Sequence, residues 1–255
     1  MIMTTHLIHC FTVAESKRLI AKAIAKLLHP ELGKRMIAIA RGTTCGYVCE
    51  EMLGRSIDKT SYVIGHVSPE KTDSSKVLNK SIVKDVVLKN GSQVDMTVVN
   101  SVNDMVEGDI FIKGGNCLNY GERIAGILVG SLQGGTIGAV LPTIEKKKIR
   151  LIIPIGLEKS CSEPVERISA KLNAGAIYKG QPLRMVPVKG EIITEIEALK
   201  ILMGVHAIQI GAGGIGGAEG GVMLYIEGTP GQIKKAADLI HGIQMEKPFV
   251  NLGGN

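Results

Sequence analysis

GDIFIKGGNCLNYGE, residues 108–122, opens as a short apolar strand, Ile110 to Ile112, and breaks at Lys113 and two glycines. An apolar run ended by glycine reads as a buried strand that delivers its next residues to a sheet edge. In open α/β sheets that edge is where ligands bind. Lys113 and Glu122 then form a candidate pair, a cation to hold an anion and a carboxylate to move a proton. A lysine capping a strand in solvent and a glutamate opening a helix would leave the same trace.

Working outward from this stretch, strand and helix signals alternate. Residues 14–29 place Leu19, Ile20, Ala23, Ile24, Leu27 and Leu28 at helical spacing, with lysines opposite, and Pro30 and Gly33 end the run. Met36 to Ala40 reads as a buried strand entering Arg41-Gly42-Thr43-Thr44, with a helix from about Cys45 to Leu53. Strand, small hydroxyl-bearing turn and helix form a phosphate-binding arrangement, because the helix start offers unpaired N–H groups and the positive end of its dipole. A threonine that simply caps the helix explains the turn equally well. Ser61 to Val67 suggests another strand, and 68–80 an exposed polar segment. Asn90-Gly91 between two valine-rich runs signals a hairpin. Strands follow at 124–129 and 150–155. Between them Gly134-Gly135-Thr136 forms a second glycine-rich turn, opening a helix that ends in Lys146 to Lys148. A further helix is expected over 163–172.

Beyond Gly180 the pattern becomes strand (185–193), helix (195–203), strand (207–210), glycine-rich loop (211–221), strand (222–226) and helix (231–243). This order fits a small antiparallel sheet backed by two helices. The expected fold is α/β: a Rossmann-like open sheet with helices on both faces over 1–180, and a small α+β, ferredoxin-like domain over 181–255. The second unit reads as a lid or an oligomerisation module.

Composition narrows the function classes. Apolar residues make up 45% of the 255, and charged or proline residues interrupt every apolar run before it could span a bilayer. No secretory leader is visible, so a cytoplasmic protein is expected. The net charge of +6 is spread along the chain and aromatics are only 3%. A nucleic-acid binder would show a basic stripe with stacking rings, so the expected partner is a small anionic metabolite, not a nucleic acid or a membrane. The five cysteines are odd in number and scattered, against a disulfide framework. Cys45 and Cys49 share a helix face, but two thiolates do not complete a zinc site. His6, His9 and Cys10 could add ligands without any spacing that demands it. Neither a metal nor a cofactor is called for.

The stretch IKGGNCLNYGERI resembles the IKGGGxxLxxEKI-type motif of type A ribose-5-phosphate isomerases, within a superfamily that also holds CoA transferases and sugar-sensing regulator domains. Lys113, Gly114, Gly115, Leu118, Glu122 and Ile124 fall at matching positions. ESKRLIAKAIAKLL and RGTTCGYVCEEML resemble the family's first helix and phosphate-binding turn, and together these cover about half of the chain. The resemblance implies that Lys113 holds developing negative charge, that Glu122 shuttles a proton through an enediolate, and that Thr43 and Thr44 take the phosphate. It also places Asn100 and Asn103 where the family carries two aspartates, and asparagine cannot take up a proton as a carboxylate does. The turn at Gly134 has no counterpart in that family.

The sequence therefore supports a divergent isomerase-like enzyme acting on a phosphorylated or anionic metabolite. Its catalytic residues would be Glu122 and Lys113. Its ligand-binding residues would be Arg41, Gly42, Thr43, Thr44, Asn100, Asn103, Gly114, Gly115, Asn116, Gly134, Gly135 and Thr136. The alternatives are a non-catalytic sugar-phosphate sensor on the same fold, or a CoA-transferase relative with a glutamate nucleophile. A homo-oligomer is expected in either case.

Overall fold

The computed structural model describes residues 4–69, 83–174 and 183–248. The division expected near Gly180 lies outside these residues, as does most of the polar stretch 68–80.

In chain order, β1 (Thr5–Phe11) leads into α1 (Val13–Leu28), then β2 (Ile37–Ile39) and α2 (Thr43–Leu53). A capping box starts α1: Glu15 N–H donates to Thr12 Oγ1 and Thr12 N–H to Glu15 Oε2. The hairpin β3 (Val86–Lys89) and β4 (Ser92–Val94) turns at Asn90 and Gly91, which have φ of 53° and 77°. Both being left-handed is what a tight two-residue hairpin turn requires, and it is why Asn-Gly announces one. The valine-rich run after β4 is α3 (Val98–Asp104), started by Thr97, whose hydroxyl accepts from Asn100 N–H.

Next come β5 (Ile110–Ile112), β6 (Cys117–Asn119), β7 (Ile124–Val129), α4 (Gly135–Lys147), β8 (Arg150–Pro154) and α5 (Val165–Ala174). The chain closes with β9 (Arg184–Lys189), β10 (Glu191–Ile193), α6 (Glu195–Met203), β11 (His206–Ala212), β12 (Val222–Gly228) and α7 (Pro230–Ile243). Ser61 to Val67, expected as a strand, is irregular; the Tyr62 hydroxyl is buried there, donating to Ile39 O and accepting from Val86 N–H.

The fold is mixed α/β. Its principal sheet has six strands in the order β10-β8-β5-β2-β3-β4, the first four mutually parallel, β3 antiparallel to β2, and β4 antiparallel to β3. Every residue of β2 and β5 is buried, so both faces of the sheet centre are covered. Helix α1 packs against α2 and α6, and α3 packs against α4. Ile37, Ile39, Ile110 and Ile112 have no exposed surface, and each contributes about 1.5–3 kcal/mol by burial.

Two antiparallel three-stranded sheets complete the chain, β6-β7-β9 and β1-β12-β11. Strand pairing runs across residue 180. The expected strand 185–193 is two strands, of which β9 adds to β7 and β10 to β8. Gly190 is the joint, where a Cβ would stand 2.4 Å from Leu151 O. The antiparallel unit formed by β11 and β12 takes its third strand, β1, from the other end of the chain. The alternating burial of β1 fits one covered and one open face. Among the described residues no helix is long and apolar enough to cross a membrane.

Candidate functional site

The four parallel strands end on the same side. Past β2, Ala40 N–H donates to Ile112 O and the chain turns through Arg41 and Gly42 into α2. Past β5, Lys113 N–H donates to Ile152 O, followed by Gly114 and Gly115. Past β8, Ile155 N–H donates to Ile193 O, and Gly156 leads into a short turn over Leu157–Lys159. Past β10, Thr194 caps α6 and Glu195 opens it. The loops past β2, β5 and β8, with Lys17 on α1 and residues 63–67, surround a cavity of about 480 Å³, a volume suited to a small metabolite.

Three lysines from three separate segments line it: Lys17 on α1, Lys113 after β5 and Lys159 after β8. Lys113 Nζ donates to Arg41 O at 2.9 Å and Lys159 Nζ to Gly115 O at 3.0 Å. Main-chain carbonyls, not carboxylates, hold these two ammonium groups, so their charge is oriented without being cancelled. Burial lowers the pKa of Lys113, against a raising influence from Cys45. Lys17 is pulled down to about 8, first by burial and then by Lys159, while Glu158 acts the other way.

The start of α2 forms one wall. Its N-cap is Gly42 and no side chain caps it, so the amides of its first turn face the cavity unclaimed by a threonine hydroxyl. Thr43, Thr44 and Cys45 line the wall. Cys45 is fully buried and burial raises its pKa, which keeps it a thiol. Gly115 allows the close approach, since a Cβ there would stand 2.8 Å from Ile155 Cδ1. Asn116 is fixed by Leu128 N–H donating to its Oδ1 at 3.0 Å.

Behind Lys17 lies a carboxyl pair. Glu195 is fully buried; its Oε2 accepts from Leu157 N–H at 2.9 Å, and its Oε1 has no partner. Glu158 Oε2 is buried without a partner as well. A Cβ on Gly156 would meet both, at 1.9 Å from Glu158 Oε2 and 2.9 Å from Glu195 Oε1, so the two carboxyls approach each other across the space that glycine leaves. Burial first, and then Glu158, push the Glu195 carboxyl up to about 7. Ser16 Oγ sits beside it without a well-formed hydrogen bond.

The expected site residues divide into two sets. Arg41, Gly42, Thr43, Thr44, Lys113, Gly114, Gly115 and Asn116 come together on the cavity. The Arg41 guanidinium, however, is committed to Asp85 at 2.7 Å and to Val83 O. Glu122 does not line the cavity: it is exposed on the turn between β6 and β7. Strand β6 begins directly after Asn116 and pairs with β7 in a separate sheet, so Glu122 sits on the hairpin turn between them and not beside Lys113. Asn100 and Asn103 are exposed on α3. Gly134, Gly135 and Thr136 begin α4 and are also absent from the lining; Gly134 is left-handed (φ 81°) and so serves the turn.

Sequence reasoning missed Lys17, Lys159, Glu158 and Glu195. Lys17 sits among lysines that all read as a solvated helix face. A signal for Glu158 and Lys159 was present: Gly156-Leu157-Glu158-Lys159 follows an apolar strand just as Lys113-Gly114-Gly115 does.

A larger concavity of about 640 Å³ lies by Leu53, Arg55, Tyr62 and Asp95. It borders the antiparallel edge of the sheet, away from the ends of the parallel strands. No protein-family model matches the chain, and no curated protein or solved structure of significant similarity was found.

Proposed function

We propose that this chain binds a small phosphorylated metabolite in the cavity at the ends of β2, β5 and β8, and transfers a proton on it. The observation that carries this reading is the convergence of Lys17, Lys113 and Lys159 on the uncapped start of α2. Fixed ammonium groups and unpaired amides in a partly buried cradle favour a phosphate dianion. Enolisation beside a carbonyl needs a base in reach and a fixed positive group for the developing oxyanion. Lys113 fits the second role. Lys17 lines the cavity and changes protonation near pH 8, which fits the first; Glu122 does not.

We read the parallel strands and their helices as a Rossmann-like unit of the sugar-phosphate isomerase and CoA-transferase superfamily. The β1-β12-β11 sheet with α6 and α7 is then a small α+β module, ferredoxin-like in its helix-backed antiparallel sheet and discontinuous in sequence. The location of Glu122 outside the cavity favours one second reading, a sensor that binds the same ligands without converting them. Self-association remains part of the proposal: Ile8, Tyr225 and Ile208 form a row across the open face of that small sheet, and Ile8 and Ile208 are exposed.

The test is thermal stabilisation by inorganic phosphate and ribose 5-phosphate, which should raise Tm as ligand exceeds Kd. The shift should vanish in Lys113→Met and Lys159→Met and persist in Glu122→Gln. Incubation with ribose 5-phosphate in deuterated water then separates the readings. Loss of the C2 proton signal in wild type but not in Lys17→Met supports proton transfer. Stabilisation without exchange supports the sensor, and no stabilisation by either phosphate compound rejects the site.

A further inference from the structure

Cys117 and Cys161 lie on segments that the sequence gives no reason to associate. Cys117 opens β6, directly after Asn116, and Cys161 follows the turn that carries Glu158 and Lys159. The two segments are stitched together by main-chain contacts. Leu118 bridges Ser160 in parallel register, and Cys161 N–H donates to Leu118 O at 2.8 Å. This brings the sulfurs to 2.9 Å, with the Cys117 thiol donating to Cys161 Sγ. That is inside the contact distance of two non-bonded sulfurs, and both side chains are partly exposed.

We propose that Cys117 and Cys161 are a reversible dithiol–disulfide site, oxidised by small disulfides such as oxidised glutathione. The bond would fasten together the two loops that present Asn116 and Lys159 to the cavity.

The exchange balances as follows. The Cys161 thiolate attacks one sulfur of the oxidised glutathione, forming a mixed disulfide and expelling one glutathione thiolate. Cys117 then gives its proton to solvent and attacks the Cys161 sulfur, expelling the second glutathione. Two protein thiols have lost two electrons and two protons; one glutathione disulfide has become two thiols. Cys161 is the first nucleophile because burial, and then the hydrogen bond to Cys161, push the Cys117 thiol up to about 12, leaving little of it as thiolate.

Selectivity follows from placement. Cys45 and Cys49 are buried, and burial raises both of their pKa values. Cys10 is on β1, in a different sheet. Closing the short remaining gap between the sulfurs needs only side-chain rotation and a small loop movement. The bond would close a loop of 44 residues, long enough to restrict the unfolded chain appreciably.

The full chain, incubated with oxidised glutathione at pH 8, should lose two hydrogens in mass. A non-reducing digest should then yield a peptide joining Cys117 to Cys161. Tm should rise by roughly 5–10 °C and return on adding dithiothreitol. Cys161→Ser should show neither the joined peptide nor the reversible rise. Retention of all thiols after prolonged incubation overturns the proposal, as does a cross-link that joins any other pair. The outcome does not depend on which ligand the cavity takes.

Discussion

Replacing Glu195 by glutamine should flatten the pH dependence of stability on the acid side of neutrality. Glu195 opens α6, a position where the helix dipole ordinarily favours a carboxylate. Full burial and the neighbouring Glu158 outweigh that and raise it to about 7. Between the unfolded value of 4.5 and about 7, the folded chain holds a proton that the unfolded chain has released. Stability therefore falls as pH rises through this window, is fully present below it, and levels off above.

A shift from 4.5 to about 7 corresponds to about 3 kcal/mol. Glutamine keeps the acceptor for Leu157 N–H and can donate its amide towards Glu158, with no charge to bury. Urea unfolding at pH 5, 6, 7 and 8 reads the difference directly from the midpoints, provided the slopes agree. Wild type and Glu195→Gln should be close at pH 5. The variant should be ahead by up to about 3 kcal/mol at pH 8. Parallel curves for the two proteins would refute the buried, proton-bearing carboxyl; so would a variant that is less stable than wild type at pH 8.

Three further outcomes are expected. Sulfate binding, monitored by calorimetry, should weaken as pH rises through about 8, because Lys17 loses its charge there, and Lys17→Met should bind more weakly with that step absent. Gly190→Ala places a Cβ against the Leu151 carbonyl and should lower stability by about 1–3 kcal/mol in chemical denaturation. Arg18 donates to Glu50, Glu51 and Glu246 at once, tying α1, α2 and the segment after α7 together. Arg18→Met leaves Glu50 with Lys59 as its one cation, beside the Ser56 hydroxyl and Ile57 N–H, and should cost roughly 2–3 kcal/mol, less than a fully buried pair because the cluster is partly wet.

Amino-acid order alone determined the elements whose signals are local. The period of Leu19, Ile20, Ala23 and Ile24 specifies α1, Asn90-Gly91 specifies its hairpin, and α6 lies over the residues that the pattern marks. The Thr43 turn and the Lys113-Gly114-Gly115 turn were legible for the same reason, as an apolar strand running into small residues announces a sheet edge. Tertiary structure alone decided what depends on pairing between distant segments. It draws β1 to β12, divides 184–193 between two sheets at Gly190, and turns Glu122 outward on a hairpin. It also gathers Lys17 and Lys159 on one cavity, with the Glu158 and Glu195 carboxyls buried behind Lys17. A lysine's sequence neighbours cannot tell whether its ammonium meets water or a crevice, since that depends on which strand end folds opposite it.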